Sequence, residues 1–505
     1  MRTWNVYGIY MPSEPHFLKQ CVKKSGHAIR PIFSFVVDGP PKFTYQGYHL
    51  ARSIIEHCCD SPSQVHVQFT PEVDRDSLRI FLELGCTIHE IERFGDGRYC
   101  NKLSQLPNLQ DFECDTVVLL DTDMIVLDDL RPHLSNTVFM AKIVDLANPP
   151  IAVLDELGVL AGITAMPPVV AVDACEEQTY CGNCNGGFYS VPKALCDRVE
   201  AEWRRWATWL LDHMDPLKRV GKESHVDQVA MWLALHLGGI PFAVAPSNLN
   251  YYLHFEGKHH YFDPGMPISL LHYHDSSINV VGNIEVSHRL SEPERIAVER
   301  ANNQIASGFN SLVFWNFRYC NFPQRGSGVG PRGENLLYKR NLLVEQGVEN
   351  AGSVLDVGCG DLEVIRPLAI KNYLGVDTSP SAMEIARGHR PEWKFQHIRM
   401  ISDLDTALPC EMVLCFEVLI HQPTEYEYQK VIAFLSASTM RTLLVSGYNA
   451  YDAARESNAM LHFYEPLELS LNKSGKFKVI KAIGAHSDVI VFRCDVSSDV
   501  RRSSK

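Results

Sequence analysis

The feature that most constrains the fold of this chain is a short apolar segment that ends abruptly in two carboxylates. Residues 117–120 are Val-Val-Leu-Leu, and Asp121-Thr122-Asp123 follows directly. A continuous β-prone apolar run indicates a strand that is buried on both faces. In open α/β sheets, ligands gather beyond the carboxyl ends of the strands. Asp121 and Asp123 point to one side of an extended segment, where two hard oxygen donors suit Mg²⁺ or Mn²⁺.

Length and composition indicate a multidomain globular protein. The chain has 505 residues, of which 46% are hydrophobic and 21% are charged. A chain of this size exceeds a single core. The net charge of -13 opposes nucleic-acid binding through a basic surface. The chain starts with strand-like sequence from Met1, has no apolar signal core and has no run of about 18 apolar residues. We therefore expect a cytoplasmic protein without a transmembrane segment, and leave peripheral membrane association open.

The pattern divides the chain into two α/β halves. Strand and helix patterns alternate up to residue 275, with strands predicted at 32–37 and 65–69 and a helix at 102–112. A second alternation begins at residue 334 after a turn-rich, basic connector. The predicted parts are an α/β domain at 1–275, a helical connector at 276–333, a second α/β domain at 334–494 and a disordered tail at 495–505.

Three further features follow the Asp121/Asp123 strand. Asn185-Gly186-Gly187 places glycines where backbone must approach a ligand, Asp227-Gln228 opens a helix, and His272 and His274 are expected on one face of a strand. In this order the features resemble the GT-A glycosyltransferases, and most closely the retaining family that includes lipopolysaccharide glucosyl- and galactosyltransferases. The resemblance covers about the first 275 residues. It implies a GT-A domain, which has a Rossmann-like mixed sheet.

The resemblance implies a role for each matching residue. Metal ligation is implied for Asp121, Asp123 and His272, with His274 as the fallback. Binding of the donor is implied for Lys102 near the diphosphate, for Asn185 and Gly186 around the sugar, and for the catalytic pair Asp227 and Gln228. The acidic nucleotide-binding opening of the family is absent from residues 5–11, and the glycine and lysine expected beyond the histidine are absent. The donor base and the stereochemistry stay open, with a UDP-sugar favoured over a GDP-sugar.

The chemistry explains these residue types. A divalent ion held by carboxylates neutralises the charge that grows on a departing nucleoside diphosphate. In the alternative interpretation, Asp121 and Asp123 are turn acids, His272 is a core histidine, and Asp227 complements the helix dipole. Cys175, Cys181 and Cys184 form a further candidate metal set because they include a CxxC.

A second strand-to-turn motif lies in the other half. Residues 354–361 run from an apolar segment into Gly358-Cys359-Gly360, and Asp377 ends the next predicted strand. This resembles the class I S-adenosylmethionine-dependent methyltransferases, whose domain is Rossmann-like. The resemblance implies that Gly358 and Gly360 contact the methionine portion, that Asp377 bonds the ribose and that Asp356 opens the motif. Leu362 stands where the family often has a third glycine. A nicotinamide-binding turn is the competing interpretation, but its G-x-G-x-x-G spacing is not met.

Two further residues complete the predicted second site. His421 follows the predicted strand beside the substrate and is a candidate base for a sugar hydroxyl, because histidine titrates near neutral pH. A structural histidine is the alternative. Asp403 is the candidate for the acid that contacts adenine.

The combined prediction is a bifunctional enzyme. Its first domain transfers a sugar from a nucleotide-sugar to a glycan or glycolipid with Mn²⁺ or Mg²⁺, and its second methylates a sugar hydroxyl with S-adenosyl-L-methionine. The alternatives are a single active domain joined to a binding scaffold, and a non-catalytic nucleotide-binding regulator.

Overall fold

A computed structural model describes residues 29–257, 259–274, 277–328, 330, 332–399, 401–450 and 460–496. The strand-like start of the chain and residues 497–505 of the predicted tail lie outside the described residues, whereas Asp495, the first residue of the predicted tail, ends a strand. The chain divides into two compact units. The first comprises residues 1–39, 46–277 and 284–301, and the second comprises 40–45, 278–283 and 302–505.

Within its described residues, the first unit is built on a mixed sheet of seven strands in the order β10-β6-β9-β4-β1-β2-β3. β9 runs antiparallel to both β4 and β6, whereas the other neighbouring pairs are parallel. The strands of this unit are β1 (Pro31–Val37), β2 (Val65–Phe69), β3 (Thr87–Glu90), β4 (Thr116–Leu120), β5 (Met124–Val126), β6 (Phe139–Ile143), β7 (Val169–Ala171), β8 (Gln178–Tyr180), β9 (Cys184–Pro192), β10 (Phe242–Val244), β11 (Tyr251–Tyr252) and β12 (Leu270–His272).

The connection from β3 to β4 brings the chain back to the other side of β1, so the strand order reverses between β1 and β4. Ligands bind at such switch points because the loops beyond the two strands diverge there. All five residues of β4 are buried, which confirms the predicted two-faced burial of this strand. The predicted strands at 32–37 and 65–69 are also confirmed.

The helices of this unit are α1 (Pro41–Cys58, whose first residues group with the second unit), α2 (Arg75–Glu83), α3 (Ile151–Ala161), α4 (Cys196–Asp212), α5 (Asp215–Lys218) and α6 (Val226–Leu237). α2 begins where the Asp74 carboxylate accepts a hydrogen bond from the Ser77 amide. α4 buries Trp203 and Trp206 in the same core as α6.

One helix prediction in this unit is wrong. The segment predicted as a helix at 102–112 forms two 3₁₀ helices, Tyr99–Ser104 and Leu106–Leu109. Pro107 lacks an amide hydrogen and disfavours the α conformation of the residue before it, so a continuous α-helix cannot pass through this point.

Within its described residues, the second unit also has a sheet of seven strands, in the order β15-β14-β13-β16-β17-β19-β18. The first five are parallel, and β19 is antiparallel to both of its neighbours. The strands are β13 (Val354–Val357), β14 (Tyr373–Asp377), β15 (Lys394–His397), β16 (Cys410–Cys415), β17 (Thr439–Gly447), β18 (Val479–His486) and β19 (Val489–Asp495). The order reverses between β13 and β16, which makes this sheet doubly wound and defines a second switch point.

Alternate residues of these strands lie in two different cores. Leu355 and Val413 belong to one core, and Val354 and Met412 belong to the other. Such alternation requires cover on both faces of the sheet. The helices that follow α6 are α7 (Glu292–Ser307, divided between the units), α8 (Ser311–Asn321), α9 (Gly333–Glu345), α10 (Pro380–His389), α11 (Glu425–Ser438) and α12 (Leu467–Lys473).

The fold is therefore mixed α/β with two Rossmann-like sheets. Among the described residues, none of the helices has the length and apolar character needed to cross a bilayer.

Candidate active sites

The first site forms where β4 ends. Asp121, Thr122 and Asp123 connect β4 to β5, and β12 pairs antiparallel with β5 so that His272 lies opposite Met124. The Nε2 atom of His272 is 3.3 Å from Asp123 Oδ1. One ligand atom from each of Asp121, Asp123 and His272 lies within 4.8 Å of the other two. Two carboxylates and an imidazole are a donor set that suits Mn²⁺ or Mg²⁺, so these residues fit a divalent ion.

The second group of this kind among the described residues comprises Asp145, Asp173 and His259, all buried. The candidate cysteines belong to neither group. His274 does not belong to the same strand as His272, contrary to the prediction, because β12 ends at His272 and His274 has a φ of 61°. Both histidine rings nevertheless lie near the Tyr252 ring, with centroid distances of 4.7 Å for His272 and 6.2 Å for His274.

Lys102 lies beside the two acids. Its Nζ is 2.5 Å from Asp121 Oδ1 and 3.9 Å from Asp227 Oδ2, and it donates a hydrogen bond to the Gly186 carbonyl at 3.2 Å. Burial opposes the charged form, but attraction to Asp121 and Asp227 prevails and raises the pKa of Lys102. The structure thus brings three other predicted site residues together around the Lys102 ammonium group.

Asp227 and Gln228 lie in the first turn of α6, as predicted. Asp227 is buried, and burial raises its pKa to about 6. The Gln228 amide nitrogen is 2.5 Å from His225 Nδ1. The start of this helix therefore holds a carboxyl group whose charge is sensitive to its surroundings.

The glycine pair on β9 allows these side chains to converge. A Cβ atom on Gly186 would lie 3.1 Å from Lys102 Nζ and 3.3 Å from Asp227 Oδ2, and one on Gly187 would lie 2.7 Å from the His272 ring. Any larger residue at position 187 would displace the histidine.

The Asn185 side chain is engaged within the protein. Its amide nitrogen donates to Asp145 Oδ2 at 2.7 Å, and its oxygen accepts from Gly187 N at 2.8 Å and from Asn250 Nδ2 at 3.1 Å. One amide hydrogen remains for a ligand, because an asparagine amide has two.

Sequence reasoning missed an acid at the end of β1. Asp38 Oδ1 accepts hydrogen bonds from the Gly39 amide, the Thr70 hydroxyl and the Arg93 guanidinium at 2.7–2.8 Å. Asp38 stands at the β1/β4 switch point. The acidic opening of the family was expected at residues 5–11, which contain no acid. The signal was present, because residues 32–37 form an apolar strand that ends in Asp38-Gly39.

In the second unit, the turn after β13 requires its two glycines. Gly358 and Gly360 have φ values of 76° and 55°, a region that favours glycine. A Cβ atom on Gly358 would lie 2.2 Å from Val418 Cγ2, and one on Gly360 would lie 2.5 Å from the Tyr319 hydroxyl. Leu362, at the position of the third glycine, also has a positive φ of 61°. Leu362 therefore adopts a backbone conformation that favours glycine, although it is not a glycine.

Two buried acids flank this turn. Asp377 Oδ2 accepts a hydrogen bond from the Gly360 amide at 2.9 Å, and Oδ1 accepts one from the Ser379 amide at 2.8 Å. Asp356 accepts a hydrogen bond from the Tyr373 hydroxyl at 2.7 Å. Burial raises the pKa of both acids, that of Asp356 to about 6. The turn therefore places two buried carboxyl groups beside a glycine-rich backbone at the second switch point.

His421 lies in a short helix beyond β16. Its Nδ1 is 2.8 Å from the Met460 carbonyl oxygen. Because a carbonyl only accepts, Nδ1 carries the proton of the neutral ring and Nε2 keeps its lone pair. Burial lowers the pKa of His421 to about 4. Asp403 accepts a hydrogen bond from the Arg399 amide at 2.7 Å within its own loop.

Sequence reasoning also missed Glu417, which follows β16 at the second switch point. Its carboxylate pairs with Lys339 and lies 2.8 Å from His486 Nε2, and its φ is 56°. An acid after a predicted strand was visible in the sequence at Glu417. Lys339 and His486, the two partners of this acid, are distant from it in the chain.

No protein-family model matches the chain, and no curated protein matches it. Several solved structures are similar in fold. Magnesium protoporphyrin IX methyltransferase (ChlM) from Synechocystis PCC 6803 with bound SAM has 17% identity and a TM-score of 0.29, and the match covers 37% of this chain and 98% of that one. N-methyltransferase NodS from Bradyrhizobium japonicum WM9 with S-adenosyl-L-homocysteine has 14% identity and a TM-score of 0.27, over 32% and 86% of the two chains. A DhpI–SAH complex has 13% identity and a TM-score of 0.30, over 37% and 96%.

Proposed function

We propose that this protein is a bifunctional transferase. The first unit transfers a sugar from a nucleotide-sugar, UDP-sugar rather than GDP-sugar, to a glycan or glycolipid acceptor with Mn²⁺ or Mg²⁺. The second unit methylates a sugar hydroxyl with S-adenosyl-L-methionine. The observation that carries the proposal is the presence of a preformed ligand set at each of the two switch points.

Sugar transfer is supported by the convergence of Asp121, Asp123 and His272 at the end of β4. A divalent ion bound there would act as a Lewis acid toward the departing diphosphate. Lys102 supplies a further positive charge beside Asp121, which would attract a phosphate oxygen. Asp227 and Gln228 line the glycine pair, where they would bond and orient the sugar. Asp38 at the neighbouring strand end would bond the nucleoside.

Asp123→Ala tests this half. A unit charge pair at about 4 Å is worth roughly 4 kcal/mol at an effective dielectric near 20, which corresponds to about a thousandfold in rate. We therefore expect Mn²⁺-dependent hydrolysis or transfer of the sugar to fall by about this factor. A panel of sugar nucleotides with Mn²⁺ present provides the assay.

The matched control is Asp129→Ala, which removes a nearby acid that pairs with Arg131 instead of facing the site. The control should keep full activity, and circular dichroism should be unchanged in both variants. Full activity of Asp123→Ala would refute the metal site.

Methyl transfer is supported by the glycine turn between Asp356 and Asp377. S-adenosylmethionine carries an already activated methyl group, so the enzyme mainly aligns oxygen, carbon and sulfur. His421 would accept the hydroxyl proton at Nε2, since hydrogen bonding to Met460 keeps that nitrogen unprotonated. A pKa near 4 makes His421 a weak base that is neutral at physiological pH. Asp403 would contact the adenine.

Calorimetry with nucleotide-sugars and with S-adenosylmethionine, followed by mass spectrometry of the products, distinguishes the alternatives. Turnover of both ligands supports the bifunctional enzyme, and turnover of one supports an active domain joined to a scaffold. Binding of either ligand without any product would favour a nucleotide-binding regulator. If both reactions modify one glycan, fusion raises the effective concentration of the second site. A cytoplasmic location, with peripheral membrane association open, belongs to this proposal.

A further inference from the structure

We infer that Asn250 positions His272 through a chain of hydrogen bonds whose directions are set by the buried ion pair of Lys142 and Asp145. The chain runs from Lys142 through Asp145, Asn185 and Asn250 to the imidazole. It fixes which ring nitrogen carries the proton and turns the other nitrogen toward Asp123. This inference deepens the proposed metal site and rests on it.

The last link sets the tautomer. His272 Nδ1 is 2.9 Å from the Asn250 side-chain oxygen. Asn250 is fully buried, and its amide nitrogen donates to Asn185 Oδ1 at 3.1 Å, so its oxygen is the atom that faces the ring. An amide oxygen only accepts, and Nδ1 must therefore carry the hydrogen. Nε2, which lies 3.3 Å from Asp123 Oδ1, is then the nitrogen that can offer its lone pair to a metal ion held by the acids.

The preceding links have a single polarity as well. Asn185 Oδ1 accepts from both Asn250 and the Gly187 amide, which fixes its own amide nitrogen toward Asp145 at 2.7 Å. A carboxylate accepts only, so this bond cannot reverse. The other oxygen of Asp145 pairs with Lys142. The oxygen and the nitrogen of both side-chain amides, Asn185 and Asn250, are therefore each assigned to one position.

The chain of hydrogen bonds begins at a cluster of buried charges that balance one another without a metal ion. Asp145, Asp173 and His259 approach one another as metal ligands do, but the fully buried ammonium of Lys142 already pairs with both acids. Attraction to these acids prevails over burial and raises the pKa of Lys142. Asp173 is further held by the Ser247 hydroxyl at 2.7 Å. Separating one member from such a cluster would leave an uncompensated buried charge. This cost holds Asp145 in place at the start of the hydrogen-bond chain.

The chain also gives Asn185 a function besides contact with the sugar. Asn185 accepts a hydrogen bond from the Gly187 amide, and Gly187 closely approaches the His272 ring. Asn185 therefore connects the buried charge cluster to this contact. Partners of this kind around a metal-bound histidine typically change metal affinity by 10–100-fold when they are removed. A positioning residue should therefore act on metal affinity before it acts on the chemical step.

Asn250→Leu in the full chain tests the inference with two readouts. The first is the tautomer of His272 in metal-free protein with ¹⁵N-labelled histidine, read by long-range ¹H–¹⁵N NMR and identified by subtraction of the His272→Gln spectrum. The wild type should show the Nδ1–H form, and the variant should lose it. The second is Mn²⁺ binding followed by electron paramagnetic resonance, where the variant should bind about 10–100-fold more weakly.

Asn250→Asp provides a conservative rescue, because it keeps an acceptor for Nδ1–H. This variant should retain the Nδ1–H tautomer and bind Mn²⁺ more tightly than Asn250→Leu. Asn248→Leu is the matched control. Asn248 is equally buried, but its amide bonds the carbonyls of Met266 and Pro267 instead of joining the chain. The control should leave both the tautomer and the Mn²⁺ affinity unchanged.

The inference is overturned if the wild type has the Nε2–H tautomer, if Asn250→Leu keeps the wild-type tautomer and affinity, or if Asn248→Leu weakens Mn²⁺ binding as much. Failure of the proposed function has a different signature. In that case the tautomer depends on Asn250 as described, but wild-type protein with Mn²⁺ turns over no sugar nucleotide.

Discussion

Two carboxyl groups, one in the first turn of α6 and one near the end of β13, are held in environments that disfavour their charge. Asp227 and Asp356 are both buried, and burial raises the pKa of each to about 6. Neither lies in a hydrogen-bonding environment that offsets the lost hydration, although Asp356 accepts the Tyr373 hydroxyl. The native protein therefore favours the protonated form of each acid more than the unfolded chain does.

Asp356→Asn should stabilise the ligand-free protein in a pH-dependent way. The folded pKa of about 6 exceeds the ordinary value of 3.8, so the stability that the neutral acid contributes is complete below pH 4 and is lost as pH rises through 6. Asparagine stays neutral and still accepts the Tyr373 hydrogen bond. We expect similar Tm values at pH 4 and a higher Tm for the variant at pH 8, equivalent to at most about 3 kcal/mol. Calorimetry at both pH values measures this difference. A variant less stable than the wild type at pH 8 would contradict it.

At the scale of elements, both candidate sites depend on a parallel strand that stops at a switch point. β4 ends before Asp121, and β13 ends before the Gly358 turn. The turn is the more demanding of the two, because three of its residues have positive φ and one of them is Leu362. Leu362 is buried, and its packing offsets the strain of a conformation that costs a non-glycine residue about 1–2 kcal/mol.

Gly358→Ala should abolish S-adenosylmethionine binding. The added methyl would lie 2.2 Å from Val418, and alanine is strained at a φ of 76°, so the turn must move. We expect at least a hundredfold loss of affinity by isothermal titration calorimetry. Gly388→Ala is the control, since open space surrounds that position in α10 and alanine is the better helix former. The control should bind normally, and equal binding by Gly358→Ala would show that the cofactor does not use this turn.

At the scale of the whole molecule, the described residues form two seven-stranded sheets, one in each unit, and each has its own switch point and its own acids. A ligand that binds only the native state stabilises by about 2.7 kcal/mol at a concentration 100 times its Kd, and each ligand should act on the unit that holds its site. The proposed bifunctional enzyme therefore predicts separate responses of the two units.

Hydrogen exchange should resolve these responses. S-adenosylmethionine should slow exchange in β13 and β14, and Mn²⁺ with a sugar nucleotide should slow exchange around β4, β5 and β12. Asp123→Ala should remove the second response and keep the first. Protection by both ligands in the same unit would contradict a division of the two activities between the units.

Local sequence determined much of this protein. The apolar run before Asp121, the alternation at 65–69 and the glycine turn after β13 each follow from chemistry within a few residues, and the structure has a strand or turn at each place. The helix predicted at 102–112 failed for a local reason as well, since Pro107 had not been weighed. Asp38 was absent from the predicted site because the resemblance placed the acidic nucleotide-binding opening at residues 5–11.

Only the tertiary structure decided which distant groups meet. His272 reaches Asp123 because β12 pairs with β5, and Asn250 reaches the imidazole because β11 lies beside β12. His274 is not part of this strand, because β12 and its pairing with β5 both end at His272. Strand periodicity fixes the side of a sheet on which a residue points, but register and the choice of neighbouring strand depend on packing between segments that are separated in the chain, such as β5 and β12. The direction of each hydrogen bond around His272 follows from that packing, and the sequence alone could not supply it.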